Sequence, residues 1–331
     1  MIPSFKKAIL PAALLAAAAA VVLLPRPAAP QEFSMPAQVH VTAPPEIDPL
    51  PDNVRPGLPE GGSRTMAVPT QRLLKGRMLL VSETDPLPDG YTPAAALSVL
   101  GYTGGWVNCR DLNAVSGQDT LNALRELFAA ARAEGITQLT VFAGTRSHQQ
   151  QLDLQTDLLA SLARDMSLED AARAARQAVA SPGCSEHHMP WAVDVRVCPV
   201  WNGAPLAMAY EESPAGGWLA EHAWQFGFIR RWPDAAPDQG CRAWHLRYVG
   251  KAHAMLMQAL RVTLEEYLSL LRRYQALTLY DQNNAPLACA VCVRAGEHQS
   301  SFVLPVSEPE DLSLDNQGWA VASCLVSGSA E

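Results

Sequence analysis

The chain has 331 residues, with 25 Lys and Arg against 33 Asp and Glu, so its formal net charge at pH 7 is -8. A chain of this length can bury one substantial core and carry appendages. The acidic balance and the lack of a basic stripe interleaved with aromatic residues exclude the charge pattern of a nucleic-acid-binding protein, so we expect no nucleic-acid partner.

The first 25 residues are typical of an export signal. Lys6 and Lys7 precede an almost uninterrupted apolar run over residues 9–24. The run is short for a membrane span and long for a signal-peptide core, so both cleavage and retention as an N-terminal membrane anchor stay open. Lysines before the run predict that the rest of the chain lies outside the cytoplasm, secreted into the cell wall or anchored at the membrane.

Residues 26–70 are predicted to form a proline-rich linker. Prolines recur through this segment among few large apolar side chains, and Gly61, Gly62 and Ser63 interrupt it. Proline-rich chains extend by about 3.1 Å per residue, so the linker could reach on the order of 100 Å from a membrane. Such a reach suits work inside a cell wall.

Hydrophobic periodicity predicts a mixed α and β domain over residues 71–275. The apolar content of residues 78–81, 139–142 and 228–232 indicates strands. Helices are predicted from spacings of three and four and from capping residues, such as the capping box at residues 263–266. In chain order the predicted helices are residues 121–131, 149–162, 168–180, 218–226, 251–260 and 263–274.

Residues 276–331 are predicted to form a small β appendage. The helical period is lost there, and four short apolar runs indicate strands. The runs are residues 278–280, 290–293, 301–304 and 319–322.

Two short strings hold side chains that suit a catalytic zinc. They are residues 185–194 (SEHHMPWAVD) and 243–250 (AWHLRYVG). Zinc in hydrolases takes three nitrogen or oxygen ligands from the protein and leaves a fourth position for water. His187, Asp194 and His245 would provide those three. Both strings alternate apolar and polar residues as strands do, so adjacent strands could direct Asp194 and His245 to one point. A buried, hydrogen-bonded histidine is the alternative that residue types leave open.

Seven cysteines in an exported chain suggest disulfides with at least one thiol left over. The pairing cannot be read from the sequence. A bridge among three cysteines near the two strings could brace the site: Cys184, Cys198 and Cys241. Cys289 and Cys292, with His298 and Cys324, could hold a structural zinc, although their spacing favours a disulfide or free thiols.

A series of motifs occurs in a fixed order between residues 78 and 267. They are LV at 80–81 before DPLP at 85–88, GTRS at 144–147 with Gln151, PGCSEH at 182–187, AVD at 192–194, FGFI at 226–229 and WHLRYVG at 244–250. Together they resemble the zinc D-alanyl-D-alanine carboxypeptidases of the VanY type, with the related LD-carboxypeptidases, which trim peptidoglycan stem peptides. The resemblance implies an α+β fold, in which a small, mostly antiparallel sheet bears the zinc site and helices flank it.

By position, the resemblance implies that His187, Asp194 and His245 are the zinc ligands. It implies that Arg146 binds the substrate, and a guanidinium is suited to hold a terminal carboxylate through two hydrogen bonds. The expected partners are therefore peptidoglycan stem peptides.

Four further positions follow from the same resemblance. Gln151 and Ser185 match residues that line the family's pocket, although either could instead cap a helix or a turn. His188 falls at a position without a ligand role. Pro190 replaces a glycine of the motif, which alters the loop but spares its ligands.

The chain departs from the family at Arg242, three residues before His245, where the family has its catalytic glutamate. That glutamate takes a proton from water and passes it to the leaving amine, which an arginine cannot do. Three alternatives stay open. The base could come from Asp234, Asp238 or Glu186, the hydrolysis could proceed more slowly without a base, or the protein could bind the peptide without cleaving it.

These features predict an exported zinc D,D- or L,D-carboxypeptidase that removes the terminal D-alanine of stem peptides with a non-standard base. A catalytically inactive homologue that keeps the metal site and binds cell-wall peptides is the alternative. A third hypothesis makes the β appendage the functional part, as an interaction domain on an inert scaffold.

Overall fold

The computed structural model describes residues 49–88, 91–197, 213–232, 244–306 and 308–326. The predicted export signal and the first part of the predicted linker lie outside these residues. Within them, no helix is both long enough and apolar enough to cross a bilayer. The helices are α1 Thr70–Leu73, α2 Val99–Thr103, α3 Gln118–Ala133, α4 His148–Leu162, α5 Leu168–Ala178, α6 Pro214–His222, α7 Lys251–Leu260 and α8 Leu264–Tyr274, with short 3-10 helices at Glu186–His188 and Ala223–Phe226.

Within the described residues, the strands form four antiparallel sheets. Their bounds are β1 Val54–Pro56, β2 Arg64–Pro69, β3 Ala96–Ser98, β4 Val115–Gly117, β5 Leu139–Ala143, β6 Ala192–Val197, β7 Phe228–Arg230, β8 His245–Tyr248, β9 Ala276–Tyr280, β10 Pro286–Arg294, β11 Gln299–Leu304, β12 Asp311–Leu314 and β13 Trp319–Leu325. The fold is therefore α+β, as expected.

One sheet has four strands in the order β5-β6-β8-β7. Strand β6 pairs with β8 so that Asp194 lies directly opposite His245. Residues directly opposite each other in an antiparallel pair project to the same face of the sheet. The alternate residues of β6 belong to the core that also takes the apolar face of α3: Val193, Val195, Leu121, Leu124 and Phe128.

A second sheet has five strands in the order β1-β9-β10-β13-β12. Helices α7 and α8 pack against it through a second buried cluster, which includes Leu256, Leu268 and Leu271 of the helices and Leu277 of β9. The strands predicted beyond residue 276 are present as β9, β10, β11 and β13, while the sequence pattern does not predict β12.

The predicted linker reaches residue 70, but residues 49–70 are folded. Strand β1 pairs with β9, strand β2 pairs with β11, and Val54 and Val68 are buried. The proline content led to the linker prediction. Pro56 and Pro69 nevertheless stand at the ends of their strands, where the missing N–H group is tolerated.

The prediction of a strand at residues 78–81 is wrong, although all four side chains are buried. The backbone of this segment bonds to side chains and to a loop instead of to a neighbouring strand. Met78 N donates to Ser313 Oγ at 2.8 Å, and the guanidinium of Arg247 donates to the carbonyl of Leu79 at 3.1 Å. An apolar run shows burial and cannot show which groups satisfy its backbone.

The predicted helices are present with shifted ends. The capping box predicted at Thr263 and Glu266 opens α8, and Ser147 with Gln150 forms another at the start of α4. The helix predicted over residues 218–226 is instead α6 followed by a 3-10 turn.

Candidate metal centre

The three predicted ligands lie together in the structure. His187 is on the 3-10 helix before β6, Asp194 is on β6 and His245 opens β8. His187 Nε2 is 3.3 Å from Asp194 Oδ1, and His245 Nδ1 is 3.0 Å from the same oxygen. One ligand atom from each residue lies within 4.8 Å of the others, and all three residues are buried. Among the described residues this is the only such group.

In each ligand histidine, the ring nitrogen that does not face Asp194 has a hydrogen-bond partner. This partner fixes which nitrogen faces the candidate metal site. His187 Nδ1 is 2.7 Å from the carbonyl oxygen of Gly144, which can only accept a hydrogen bond. His245 Nε2 is 3.1 Å from Glu186 Oε2. His187 Nε2 and His245 Nδ1 are therefore the nitrogens that face Asp194, and each could offer a lone pair to a metal ion when its ring proton is on the other nitrogen. Metal-bound histidines are held in the same way.

Glu186 is held in turn by two arginines. Arg231 Nε donates to Glu186 Oε1 at 2.8 Å, and Arg247 Nη1 forms an ion pair with the same oxygen at 2.9 Å. Arg231 also binds Glu265 of α8. Burial opposes ionisation of Glu186, but the charges of Arg247 and Arg231 hold its pKa well below the ordinary range. Both carboxylate oxygens of Glu186 are therefore engaged, and the residue supports His245 instead of serving as a base.

The charge states of His187 and Asp194 suit a divalent cation. Burial lowers the pKa of His187, which favours the neutral ring that metals require. Burial opposes ionisation of Asp194, yet its pKa lies well below the ordinary value because His187 and His245 bind the carboxylate. Burial opposes protonation of His245, but its hydrogen bonds to Asp194 and Glu186 raise its pKa, so this ring would release a proton when a metal binds. Two imidazole nitrogens and one carboxylate oxygen form a ligand set of catalytic zinc, so these residues fit that ion.

Arg146 lies beside the ligands. Its backbone N–H donates to the carbonyl of His187 at 2.7 Å, and its positive charge contributes to the lowered pKa of His187. The turn before it depends on Gly144, because a Cβ there would stand 2.2 Å from the carbonyl oxygen of Val115. The structure therefore brings the predicted carboxylate-binding residue next to the candidate metal ligands.

Gln151 and Ser185 have local roles in the structure. Ser185 Oγ accepts a hydrogen bond from His187 N at 3.3 Å and so caps the 3-10 helix that carries the ligand. Gln151 is buried on α4, and its amide donates to the carbonyl of Ala180 at 2.7 Å. Contact of either side chain with substrate stays a prediction.

His188 is held by backbone groups on both sides of its ring. Its Nδ1 is 3.0 Å from the carbonyl oxygen of Arg146, and its Nε2 accepts from Gly183 N at 3.0 Å. The ring also stacks on His148 with 4.4 Å between the centroids. A ring with both nitrogens engaged fixes the backbone around Arg146 and leaves no lone pair for a metal.

Pro190 is accommodated by the loop between the ligands. Its carbonyl oxygen accepts hydrogen bonds from Ser116 Oγ at 3.1 Å, Thr120 Oγ1 at 2.9 Å and Gly117 N at 3.0 Å. These bonds tie the loop to β4 and α3 through an acceptor that proline retains. With Pro190 at this position, the three candidate ligands lie together.

Several predicted positions lie outside the described residues: Asp234, Asp238, Arg242, Cys198 and Cys241. The suggested zinc cluster of Cys289, Cys292, His298 and Cys324 is not formed, since the described residues contain no second group with metal-ligand spacing.

The sequence prediction missed the arginines and Glu265 around Glu186. A signal for Arg247 was available, because it stands two residues after His245 in β8 and therefore projects to the same face of the sheet. Arg231 and Glu265 join the network from separate elements, and no local pattern indicates such contacts.

Residues 115–251 match the family model described as VanY: D-alanyl-D-alanine carboxypeptidase. The chain is 35% identical over 153 residues to the putative carboxypeptidase YodJ of Bacillus subtilis (strain 168), covering 45% of this chain and 52% of that protein. It is 33% identical over 150 residues to a D-alanyl-D-alanine carboxypeptidase of Enterococcus faecalis (strain ATCC 700802 / V583), covering 44% and 53%. The chain thus spans about half the length of these curated relatives.

The fold is similar to that of the vancomycin resistance D,D-dipeptidase VanXYg, solved in complex with a D-Ala-D-Ala phosphinate analogue. The TM-score is 0.58 at 21% identity, covering 80% of this chain and 100% of that one. All three candidate ligands lie inside the segment that matches the family model. Residues 115–251 are thus similar to the VanY D-alanyl-D-alanine carboxypeptidase family.

Proposed function

We propose that this protein is a zinc-dependent carboxypeptidase that removes the terminal D-alanine from peptidoglycan stem peptides, by D,D or L,D cleavage. The observation that carries the proposal is the convergence of His187, Asp194 and His245 within 4.8 Å, beside Arg146. Zn²⁺ is the cofactor, and His187, Asp194 and His245 are the residues that would hold it. When bound, it supplies Lewis acidity that polarises the scissile carbonyl and lowers the pKa of water.

The protein's own residues prepare this site before substrate arrives. The carbonyl of Gly144 and the carboxylate of Glu186 each hold one ring nitrogen of a ligand histidine. Ligands fixed in this way need no reorganisation when the metal binds, and the ionised carboxylate raises the basicity of His245.

Arg146 is proposed to recognise the terminal carboxylate of the peptide. A guanidinium forms two parallel hydrogen bonds with a carboxylate, which fixes both the position and the orientation of the last residue. Its location beside His187 would set the preceding peptide bond close to the metal ligands. Cleavage would then be limited to the last residue of the peptide.

The proton transfer needs a base other than the one found in the family. Arg242 stands at that position in the sequence and cannot accept a proton, while Glu186 already engages both carboxylate oxygens. We propose that Asp234 or Asp238, close to Arg242 in the sequence, takes the proton from the attacking water. The same carboxyl group would pass it to the amine of the departing D-alanine.

Release of D-alanine tests the proposal. The zinc-loaded full chain would be incubated with a synthetic pentapeptide ending in D-Ala-D-Ala and with the corresponding tetrapeptide. We expect release by the wild type, none by Asp194→Asn, and a roughly 10²- to 10⁴-fold lower rate for Asp234→Asn or Asp238→Asn, whichever removes the base. No release by the wild type, and none by Arg242→Glu, would refute the proposal.

The second candidate is a catalytically inactive protein that binds stem peptides at the same site. Arg242 is the observation that favours it. In that case the wild type would bind the pentapeptide saturably without turnover, and Arg242→Glu would gain turnover. Cleavage by the wild type at a rate ordinary for enzymes would exclude this candidate.

The proposed place of action is outside the cytoplasm, at the membrane or in the cell wall. The support is the apolar run over residues 9–24 with Lys6 and Lys7 before it. Fractionation of cells that express the full chain tests it. Recovery of the protein in the cytoplasmic fraction would contradict it.

A further inference from the structure

Two buried cysteines face each other in the centre of the five-stranded sheet. Cys289 on β10 and Cys324 on β13 are direct partners in the antiparallel register. Both side chains are fully buried, and their Sγ atoms are 3.0 Å apart. Neither residue belongs to the metal centre or to its supporting network.

The two thiols are placed for a covalent bond. A disulfide has an S–S distance of about 2.05 Å, so the sulfur atoms need to approach by about 1 Å. Direct partners in an antiparallel pair have Cβ atoms about 4.5–5.5 Å apart, and a disulfide holds its two Cβ atoms slightly closer. Small side-chain rotations and a slight backbone adjustment are therefore enough to form the bond.

A third cysteine, Cys292 on β10, does not face a cysteine on the neighbouring strand. It lies three residues after Cys289 on the same strand, so its side chain projects to the other face of the sheet. Its partner across the strands is Val321. Cys292 is also buried, so it is a matched control for a cysteine of β10 without a cysteine opposite.

We propose that Cys289 and Cys324 form a disulfide that joins β10 to β13. The oxidant is the disulfide of a thiol–disulfide oxidoreductase, which meets the chain while it folds, since the folded sheet buries both thiols. One cysteine, as a thiolate, attacks the oxidant's disulfide, and a mixed disulfide forms with loss of one oxidant thiolate. The second cysteine then attacks the sulfur of the first and releases the oxidant as a dithiol. Two electrons and two protons leave the pair.

The bond would stabilise a sheet that supports the metal-binding half of the protein. Glu310, next to β12 in the same sheet, accepts hydrogen bonds from the backbone N–H groups of Lys251 and Ala252 at 2.7 Å each. These groups start α7, which follows the strand that carries His245. The bridged cysteines are 35 positions apart, so the bond would remove much conformational freedom from the unfolded chain.

The test uses the full chain, refolded from denaturant in a mixture of glutathione and its disulfide. The protein is denatured without reductant, alkylated, digested and analysed by mass spectrometry. We expect one linked pair of peptides that contains Cys289 and Cys324, two hydrogens lighter than the separate peptides, with Cys292 alkylated. Alkylation of both Cys289 and Cys324, or a link from either to another cysteine, would overturn the proposal.

Stability gives a second readout. Reduction should lower the Tm of the wild type by about 5 °C or more. Adding reductant should leave the Tm of the Cys289→Ala, Cys324→Ala double variant unchanged. The Tm of Cys292→Ala should fall on reduction as that of the wild type does. A wild-type Tm that is insensitive to reductant would contradict a stabilising disulfide. Zinc content and D-alanine release in the same preparations report on the proposed function separately.

Discussion

Glu186 connects His245, a candidate metal ligand, to two arginines and through them to the rest of the protein. Replacing it with Gln keeps the size of the side chain but removes the charge that orients His245 and balances Arg231 and Arg247. We expect Glu186→Gln to weaken zinc binding roughly 10- to 100-fold, as loss of such supporting groups does in other metal sites. Competition with a chelator measures the affinity.

Glu265→Gln is the matched control for this change. Glu265 binds Arg231 from α8, whereas Glu186 contacts His245 directly, and the side chain of Glu265 is 35% exposed. Its replacement should leave zinc affinity within about threefold of the wild type, since partly exposed ion pairs contribute little. If the two variants lost zinc affinity equally, Glu186 would act only through the general stability of the protein.

Arg146 offers a separate test at the substrate side. Arg146→Lys retains the positive charge but loses the paired donors that match a carboxylate. We expect the KM for the pentapeptide to rise about 10-fold, with zinc affinity unchanged, because one charge-assisted hydrogen bond contributes about 1.5 kcal/mol or more. Arg110→Lys, on the loop before β4, should change neither quantity. An unaltered KM would remove Arg146 from substrate binding.

Asp311 makes stability depend on pH. Burial raises its pKa from 3.8 to about 6, although the charge of Arg77 opposes the shift. The folded protein therefore holds a proton that the unfolded chain releases near pH 4. This contribution to stability is fully present below pH 4 and is lost as the pH rises through 6.

The variant Asp311→Asn isolates this effect. The free energy of unfolding of the wild type minus that of the variant should fall as the pH rises from about 4 to about 7, by about 3 kcal/mol at most. Urea denaturation at several pH values gives the difference. A difference that rises with pH would reverse the assigned direction of the shift.

Helix α7 starts at a glycine and is capped from a distant part of the chain. Glu310 accepts hydrogen bonds from Lys251 N and Ala252 N, a place where a negative charge also favours the helix dipole. Glu310→Ala should lower the free energy of unfolding by about 1–2 kcal/mol. The exposed Glu308→Ala should change it by less than about 0.5 kcal/mol. Equal losses in urea denaturation would contradict a capping role.

Elements with local signals could be predicted from the sequence, and elements without them could not. The capping box at Thr263 and the spacing of apolar residues in α3 identify their helices because both signals act within one element. Strands β1 and β2 have no such signal. They form because β9 and β11, more than 200 residues later, offer free edges. The buried segment at 78–81 was misread since its hydrogen bonds go to distant side chains.

The same distinction holds for the site as a whole. His187, Asp194 and His245 could be identified because strand alternation and the family motifs agree on them. The network of Arg231 with Glu186 and Glu265 joins positions 34 and 45 residues apart, and only the folded chain brings them together. The residues that could bind zinc were therefore predictable, but the side chains that orient them were not.

Stoichiometric zinc binding tests the metal centre, the central claim, most directly. Equilibrium dialysis of the purified full chain should yield one zinc ion per chain, and His187→Ala, Asp194→Ala and His245→Ala should each lose it. His188→Gln should retain the ion, because both nitrogens of His188 are engaged elsewhere. Circular dichroism confirms that each variant is folded. Full zinc content in His187→Ala would contradict the account. The contradiction would be strongest if folded His188→Gln lost the ion while His187→Ala retained it.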